Sequence, residues 1–277
     1  MENLTAKSFA LREDVVNMIM AGKGGHIGGD MSVIDTLTAL YFNVMNVSPE
    51  KADDPDRDMF IMSKGHSVEA LYAVLAAKGY FPIERVIREF SQFGSQFIGH
   101  PNNKLPGIEM NSGSLGHGLP VAVGMAIAGK MDHSPRRVYV VMGDGELAEG
   151  SVWEGAMSAT QYNLDNLCAV VDRNRLQISG STEDVMHQDP LEERFASFGW
   201  NVIDVNGNDI DALIHAFAVA KSVKGKPTVV IANTVKGYGS AVMENKAAWH
   251  HHLPSQEEYE QIMKDLEAHK TAAMEKG

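Results

Sequence analysis

A chain of 277 residues, 44% of them hydrophobic, is long enough for a full core in one large α/β domain. Its formal net charge of −12 argues against nucleic acid or an anionic membrane as the main partner and suits an enzyme acting on small molecules. The lone cysteine, Cys168, admits no internal disulfide. No apolar signal region opens the chain and no run approaches the ~20 residues that cross a bilayer, so the expected setting is the reducing cytoplasm.

Residues 3–21 have helical spacing, with Phe9, Val16, Ile19 and Met20 among the apolar positions. The glycine-rich run 22–29 carries His26 and follows a helix rather than a strand. It lets backbone approach a ligand closely without being a dinucleotide loop. Ser32 with Asp35 has the spacing of a capping box opening a helix to about Asn43. Residues 49–58 are an exposed acidic loop and 59–62 a short strand, from which Ser63-Lys64-Gly65-His66 turns into a helix ending near Lys78. The stretch 90–109, rich in Gly, Pro, Gln and Asn, is a long ordered loop of the kind that carries function. Residues 116–129 form a helix of small apolar residues, and such a helix is buried in a core or at a subunit interface; with the small-residue helix 146–162 it is expected at an oligomer interface.

Next, Val138-Tyr139-Val140-Val141-Met142 is a buried parallel strand ending in Gly143-Asp144-Gly145, and Glu146 to Tyr162 has helical spacing. A strand end feeding a helix is where open α/β sheets bind ligands. Two readings compete for it. Gly143-Asp144-Gly145-Glu146-Leu147-Ala148 fits the dinucleotide fingerprint, with Asp172 as the ribose acid. Yet Asp144 and Glu146 facing a bare pyrophosphate repel it, whereas a divalent cation sharing phosphate oxygens reverses the sign. A second oxygen donor is available at the end of the next strand, 167–171, in Asn174. Further on, Asp189-Pro190-Leu191-Glu192 has the form of an N-cap, first-turn proline and capping acid. A strand at 200–205, a helix at 210–222, a strand at 228–231, the loop 236–239 leading to Trp249-His250-His251-His252, and a capped helix from Ser255 complete the chain. The alternation predicts one domain over 1–277, a three-layer α/β/α fold with a mostly parallel sheet.

Five loop histidines, His26, His66, His100, His117 and His250, stand beside glycine, proline or aromatic residues rather than in core patterns. Together with Gly25-His26, Ser63-Lys64-Gly65-His66, Gly99-His100-Pro101, Ser112-Gly113-Ser114-Leu115-Gly116, Gly143-Asp144-Gly145 and Asn174, they resemble the N-terminal, diphosphate-binding part of transketolase. The matching pieces span roughly 10–250. Gly99-His100-Pro101 points to transketolase rather than to deoxyxylulose-phosphate synthase or 2-oxoacid dehydrogenases. Ser114 stands where Pro is usual and His117 where Gln is usual, which marks a divergent subfamily.

The resemblance implies thiamin diphosphate with Mg²⁺ (or Ca²⁺ or Mn²⁺) as cofactors. Asp144, Asn174 and the Leu176 carbonyl are then the metal ligands. His66, Gly113, Ser114, Leu115, Gly143, Gly145 and Glu149 lie on the cofactor, with Glu149 reaching across an interface to the glutamate that activates the aminopyrimidine. His26, His100 and His250 face the sugar. The implied reaction moves a two-carbon ketol unit from a ketose to an aldose phosphate. A pyrimidine-binding domain has no counterpart here, so the expectation is a split enzyme whose C-terminal transketolase subunit is a separate polypeptide, assembled as a heterotetramer. The alternatives are a nucleotide-binding oxidoreductase domain and a non-catalytic subunit that binds thiamin diphosphate.

Overall fold

The computed structural model describes residues 2–276. Its centre is a five-stranded sheet, β1 (Met59–Met62), β2 (Val138–Gly143), β3 (Leu167–Arg173), β4 (Asn201–Asn206) and β5 (Thr228–Asn233), in the order β1-β2-β3-β5-β4. Every neighbouring pair is parallel. β2 and β3 are apolar almost throughout because both of their faces are covered. Alternate side chains enter two cores. Tyr139, Val141, Cys168, Val170 and Val230 join one, with α1 (Leu4–Gly22), α2 (Ile27–Ala39), α3 (Val68–Ala77) and α4 (Ile83–Glu89). Val138, Val140, Met142, Ala169, Val171 and Ile231 join the other, with α5 (Gly118–Met131), α6 (Gly150–Gln161) and α8 (Leu191–Ser197). A four-residue α7 (Thr182–Val185) precedes α8, while α9 (Ile210–Ser222) and α10 (Gln256–Lys276) complete the first layer. Three layers with a parallel sheet is the predicted class.

Local expectations fail where tertiary contacts outrank pattern. α2 begins at Ile27, so half of the glycine run is helical. Ser32 is not a cap: it lies inside α2, fully buried, and donates to Asp172 Oδ2 at 2.6 Å. Asp35 instead takes the Arg12 guanidinium in a two-pronged pair, with Arg12 Nη2 to Asp35 Oδ2 at 2.8 Å. The helix expected from Glu146 starts four residues later, because Gly145–Ala148 form a 3₁₀ turn and Glu146 points back into the strand ends. Asp189 does not cap α8. Pro190 occupies that place, and Asp189 pairs with Arg173. α4 has no counterpart in the sequence reading, since only Val86 of its seven residues is buried. The Ser255 capping box is real: Glu258 N donates to Ser255 Oγ at 3.2 Å and Ser255 N to Glu258 Oε2 at 2.8 Å.

The parallel register brings the C-terminal ends of β1, β2, β3 and β5 to one edge. Gly143 is level with Asp172, and Arg173 with Asn233. Four turns therefore converge, and they carry Lys64, His66, Asp144, Asn174 and Lys236.

Candidate cofactor site

Between those turns lies a cavity of about 300 Å³, lined among others by His26, Lys64, His66, Gly113, Leu115, Gly143, Asp144, Gly145, Asn174, Leu176, Lys236 and His250. Its floor is a buried ionic lattice. Lys64 extends from the end of β1 to Asp172 and to the Gly29 carbonyl, the latter at 3.0 Å. Asp172 also accepts from Ser32 and Thr234, and is fully buried. With its oxygens taken up by the protein, Asp172 is not placed to bind a ribose, so the feature that favoured a dinucleotide is lost.

Asp144 stands one strand away and only 2% of it is exposed. Its two oxygens accept from the backbone of Gly145 at 2.8 Å and of Arg175 at 2.6 Å. Burial, and then the charge of Asp172, push its pKa up to about 6. A carboxylate held in that way favours a cation. Asn174 Oδ1 accepts from Leu176 N at 3.1 Å, and the Leu176 carbonyl accepts from Lys236 Nζ at 3.1 Å. The three expected metal ligands thus lie on one wall, and the carbonyl's second lone pair is free of Lys236. Among the described residues no three His, Cys, Asp or Glu side chains converge as a metal site. An oxygen set of one carboxylate, one amide and one carbonyl is of the kind that Mg²⁺ completes with phosphate and water.

Apart from Glu146, the rest of the lining is cationic or neutral. Lys236 contacts His250 Nδ1 at 2.8 Å, and burial followed by the charge of Lys64 pushes its pKa down to about 8. His26 packs with its ring centroid 5.3 Å from that of His66 and 6.0 Å from that of His100. His66 and His250 stand 5.2 Å apart. Burial holds all four imidazoles below their ordinary pKa, His26 at about 4 with help from His251, and His250 at about 3 with help from Lys236. They are neutral at pH 7, each with a nitrogen able to accept a proton or a hydrogen bond. Gly113, at φ 142°, lies where a Cβ would come within 2.6 Å of the His100 ring, so only glycine lets that ring sit beside the cavity.

Of the residues singled out from sequence, Ser114 and Glu149 lie off the cavity. Both are exposed, Glu149 at the start of α6 beside Gly116. His100 reaches the site through His26 rather than through the cavity wall, and His117 is exposed. Sequence reasoning missed Lys64 as a floor residue, Lys236, Gln177 and the buried Glu146. Glu146 accepts from Ser63 Oγ, from Gly116 N at 2.9 Å and from Gly143 N at 3.1 Å, tying three turns together. A signal for the lysines was present, since Lys64-Gly65 and Lys236-Gly237 each come within about three residues of a strand end. Of the three consecutive histidines, His250 faces the cavity. His251 packs edge-on against His26 at 4.7 Å, and His252 bonds Glu258 at 3.0 Å.

Comparison with known proteins agrees with this geometry. The profile of the transketolase, thiamine diphosphate binding domain family matches residues 5–274. An apulose-4-phosphate transketolase subunit of Phocaeicola vulgatus is 48% identical over 96% of this chain and 94% of its own length. The 6-deoxy-6-sulfo-D-fructose transketolase subunit of Clostridium sp. is 41% identical over 88% of each. The crystal structure of Campylobacter jejuni transketolase superposes with a TM-score of 0.91 at 26% identity, over 99% of this chain but 46% of that one. With a family profile covering nearly its whole length and a matching cofactor edge, the chain belongs to the transketolase family, as its thiamine diphosphate binding domain.

Proposed function

We propose that this chain is the metal- and diphosphate-binding subunit of a two-polypeptide transketolase that moves a two-carbon ketol unit from a ketose phosphate to an aldose phosphate. The observation that carries the reading is the pairing of opposite demands across one cavity. Asp144, raised toward neutrality, calls for a cation; Lys236, lowered toward neutrality, calls for an anion. A Mg²⁺-bound diphosphate satisfies both. Relatives that are themselves named as transketolase subunits match over nearly their full length, which supports a separate partner chain.

Asp144, Asn174 and the Leu176 carbonyl hold the metal, and His66, Gly113, Gly145 and Lys236 line the diphosphate. Bound here, thiamin diphosphate supplies a nucleophilic carbon and an electron sink for breaking the bond beside a ketose carbonyl. His26, His100 and His250, neutral and half-buried, hold sugar hydroxyls and accept or return their protons. Glu149 and the exposed parts of α5 and α6 face the partner, which brings the pyrimidine-binding domain, and two such pairs form a heterotetramer. The test mixes purified chain, partner, Mg²⁺ and thiamin diphosphate. Ketol transfer is expected only in the full mixture. Acceleration of hydrogen exchange at the thiazolium carbon by this chain alone overturns the two-polypeptide reading.

A further inference from the structure

Behind the cavity wall, and used by nothing described so far, lie two acids in contact. Asp30 is in the first turn of α2 and Glu69 in the first turn of α3, and both are fully buried. Asp30 Oδ1 accepts from Ala70 N at 3.0 Å. Its Oδ2 and both oxygens of Glu69 have no well-aligned hydrogen-bond partner among the described residues, although the backbone N–H groups of His26 and Glu69 lie near the Glu69 carboxyl. No cation is bonded to either side chain, because the nearby Lys64 ammonium is committed to Asp172 and Gly29. Two bare carboxylates in contact inside a protein are strongly unfavourable, and the standard resolution is that one of them keeps its proton. A shared proton also supplies the donor that the orphaned oxygens lack.

We propose that Asp30 and Glu69 hold one proton between them, and that the resulting O–H···O contact is the element that positions His26. Position makes the second half concrete. A Cβ on Gly25 would stand 2.4 Å from Glu69 Oε1 and 2.6 Å from Ile19, so the backbone immediately before His26 rests on the acid pair. Asp30 is four residues beyond His26, and its backbone N–H bonds the His26 carbonyl at 3.2 Å. Glu69 therefore backs the turn directly, and Asp30, through Ala70 N, ties the start of α2 to the start of α3. Loss of the proton leaves two adjacent negative charges between α2 and α3, and the repulsion pushes the His26 turn away from the cavity.

The groups around the pair are few. Lys64 comes from the end of β1, His26 from the turn, Tyr72 from α3, and α1 presents the apolar Ile19. Burial first, and for Asp30 then the charge of Glu69, raise the pair's affinity for its proton. A raised carboxyl pKa means that stability falls as pH climbs above the ordinary carboxyl range toward the folded value. The proton-sharing half of the proposal needs no cofactor or partner. Only its consequence for catalysis rests on the reading of His26 as a sugar-facing residue.

The decisive variants are Glu69→Gln and Asp30→Asn, which keep shape and mimic the protonated acid. In the isolated chain, infrared difference spectra at neutral pH should show the C=O stretch of a neutral carboxyl group in wild type. That band should be absent from the Asp30→Asn, Glu69→Gln double variant. The melting temperature of Glu69→Gln, relative to wild type, should rise steadily with pH, and the His26 imidazole signals should stay sharp at alkaline pH where those of wild type broaden. In the assembled enzyme, Glu69→Gln should move the alkaline limb of kcat upward with KM for thiamin diphosphate unchanged. Absence of the neutral-carboxyl band, or coincident stability–pH curves for wild type and Glu69→Gln, overturns the shared proton. His26 signals that are identical at all pH values in both proteins overturn the positioning role. An inactive wild-type mixture overturns the functional reading instead and leaves the isolated-chain results to decide this one.

Discussion

At the scale of single residues, Asp144 and Glu146 show why two acids two positions apart do different work. Both line the cavity, but Asp144 stands at the strand end, whereas the Glu146 carboxylate is consumed by Ser63, Gly116 and Gly143. Asp144→Ala should abolish Mg²⁺-dependent binding of thiamin diphosphate in titration calorimetry, and it also takes the acceptor from the Gly145 and Arg175 N–H groups, so the melting temperature falls too. Glu146→Ala should act on stability and much less on binding. It strands buried donors at a cost of roughly 1–3 kcal/mol each and loosens the turns, so the loss is read in denaturant unfolding first. Equal effects of both variants on binding would remove the distinction. His100→Ala should spare cofactor affinity and lower turnover, on the order of 10²–10⁴-fold if the ring moves a proton. A parallel collapse of affinity would reassign His100 to the diphosphate. Asp144, Asn174, His26 and His66 were legible in the sequence because each stands next to a glycine or closes a strand. Lys64 and Lys236 were less so, since a lysine is ordinarily a solvated residue and only the fold shows that both are almost completely buried.

At the scale of elements, long apolar segments such as β2, β3 and α9 could be read from periodicity, and capping chemistry could not be trusted alone. The Ser255 box forms because α10 begins on the surface, where local hydrogen bonds have no competitor. The look-alike at Ser32 and Asp35 fails because both side chains are claimed by partners far along the chain, Asp172 and Arg12. That second claim has an energetic consequence. Arg12 is fully buried and bonds Asp35 twice and the Met31 carbonyl once, while Asn208 adds a further bond to Asp35. Asp35→Ala leaves the guanidinium buried without its counter-charge and should cost roughly 3–5 kcal/mol, measured by urea unfolding of the isolated chain. A cost below about 1 kcal/mol, the range of exposed ion pairs, would show that α1 and α2 are held by apolar packing alone.

At the scale of the whole molecule, the proposed metal and diphosphate residues gather at one edge, while α5 and α6 leave apolar side chains uncovered. Val121 and Met131 of α5, Met157 of α6 and Tyr162 just beyond it are exposed, and a Cβ on Gly124 would meet nothing within 4 Å. Large apolar side chains exposed on two neighbouring helices are what an interaction surface offers. Gly124→Glu should therefore fold as wild type yet fail to join the partner polypeptide in analytical ultracentrifugation, with ketol transfer lost in step. Unimpaired assembly would move the interface elsewhere. Small residues on both helices led the sequence reading to an oligomer interface here; a core selects the same composition, and it is the exposed side chains that favour the partner.

The neutral histidine wall has a consequence that can be weighed in heat. His26 and His66 are held uncharged because they are buried and lie beside lysines. A bound polyanion changes that environment, and imidazoles that had been denied a proton become able to take one from solution. Association with inorganic pyrophosphate in mildly acidic medium should therefore draw protons out of the buffer. The enthalpy recorded in a titration should then depend on which buffer surrenders them, with a slope against buffer ionisation heat that counts the protons taken up.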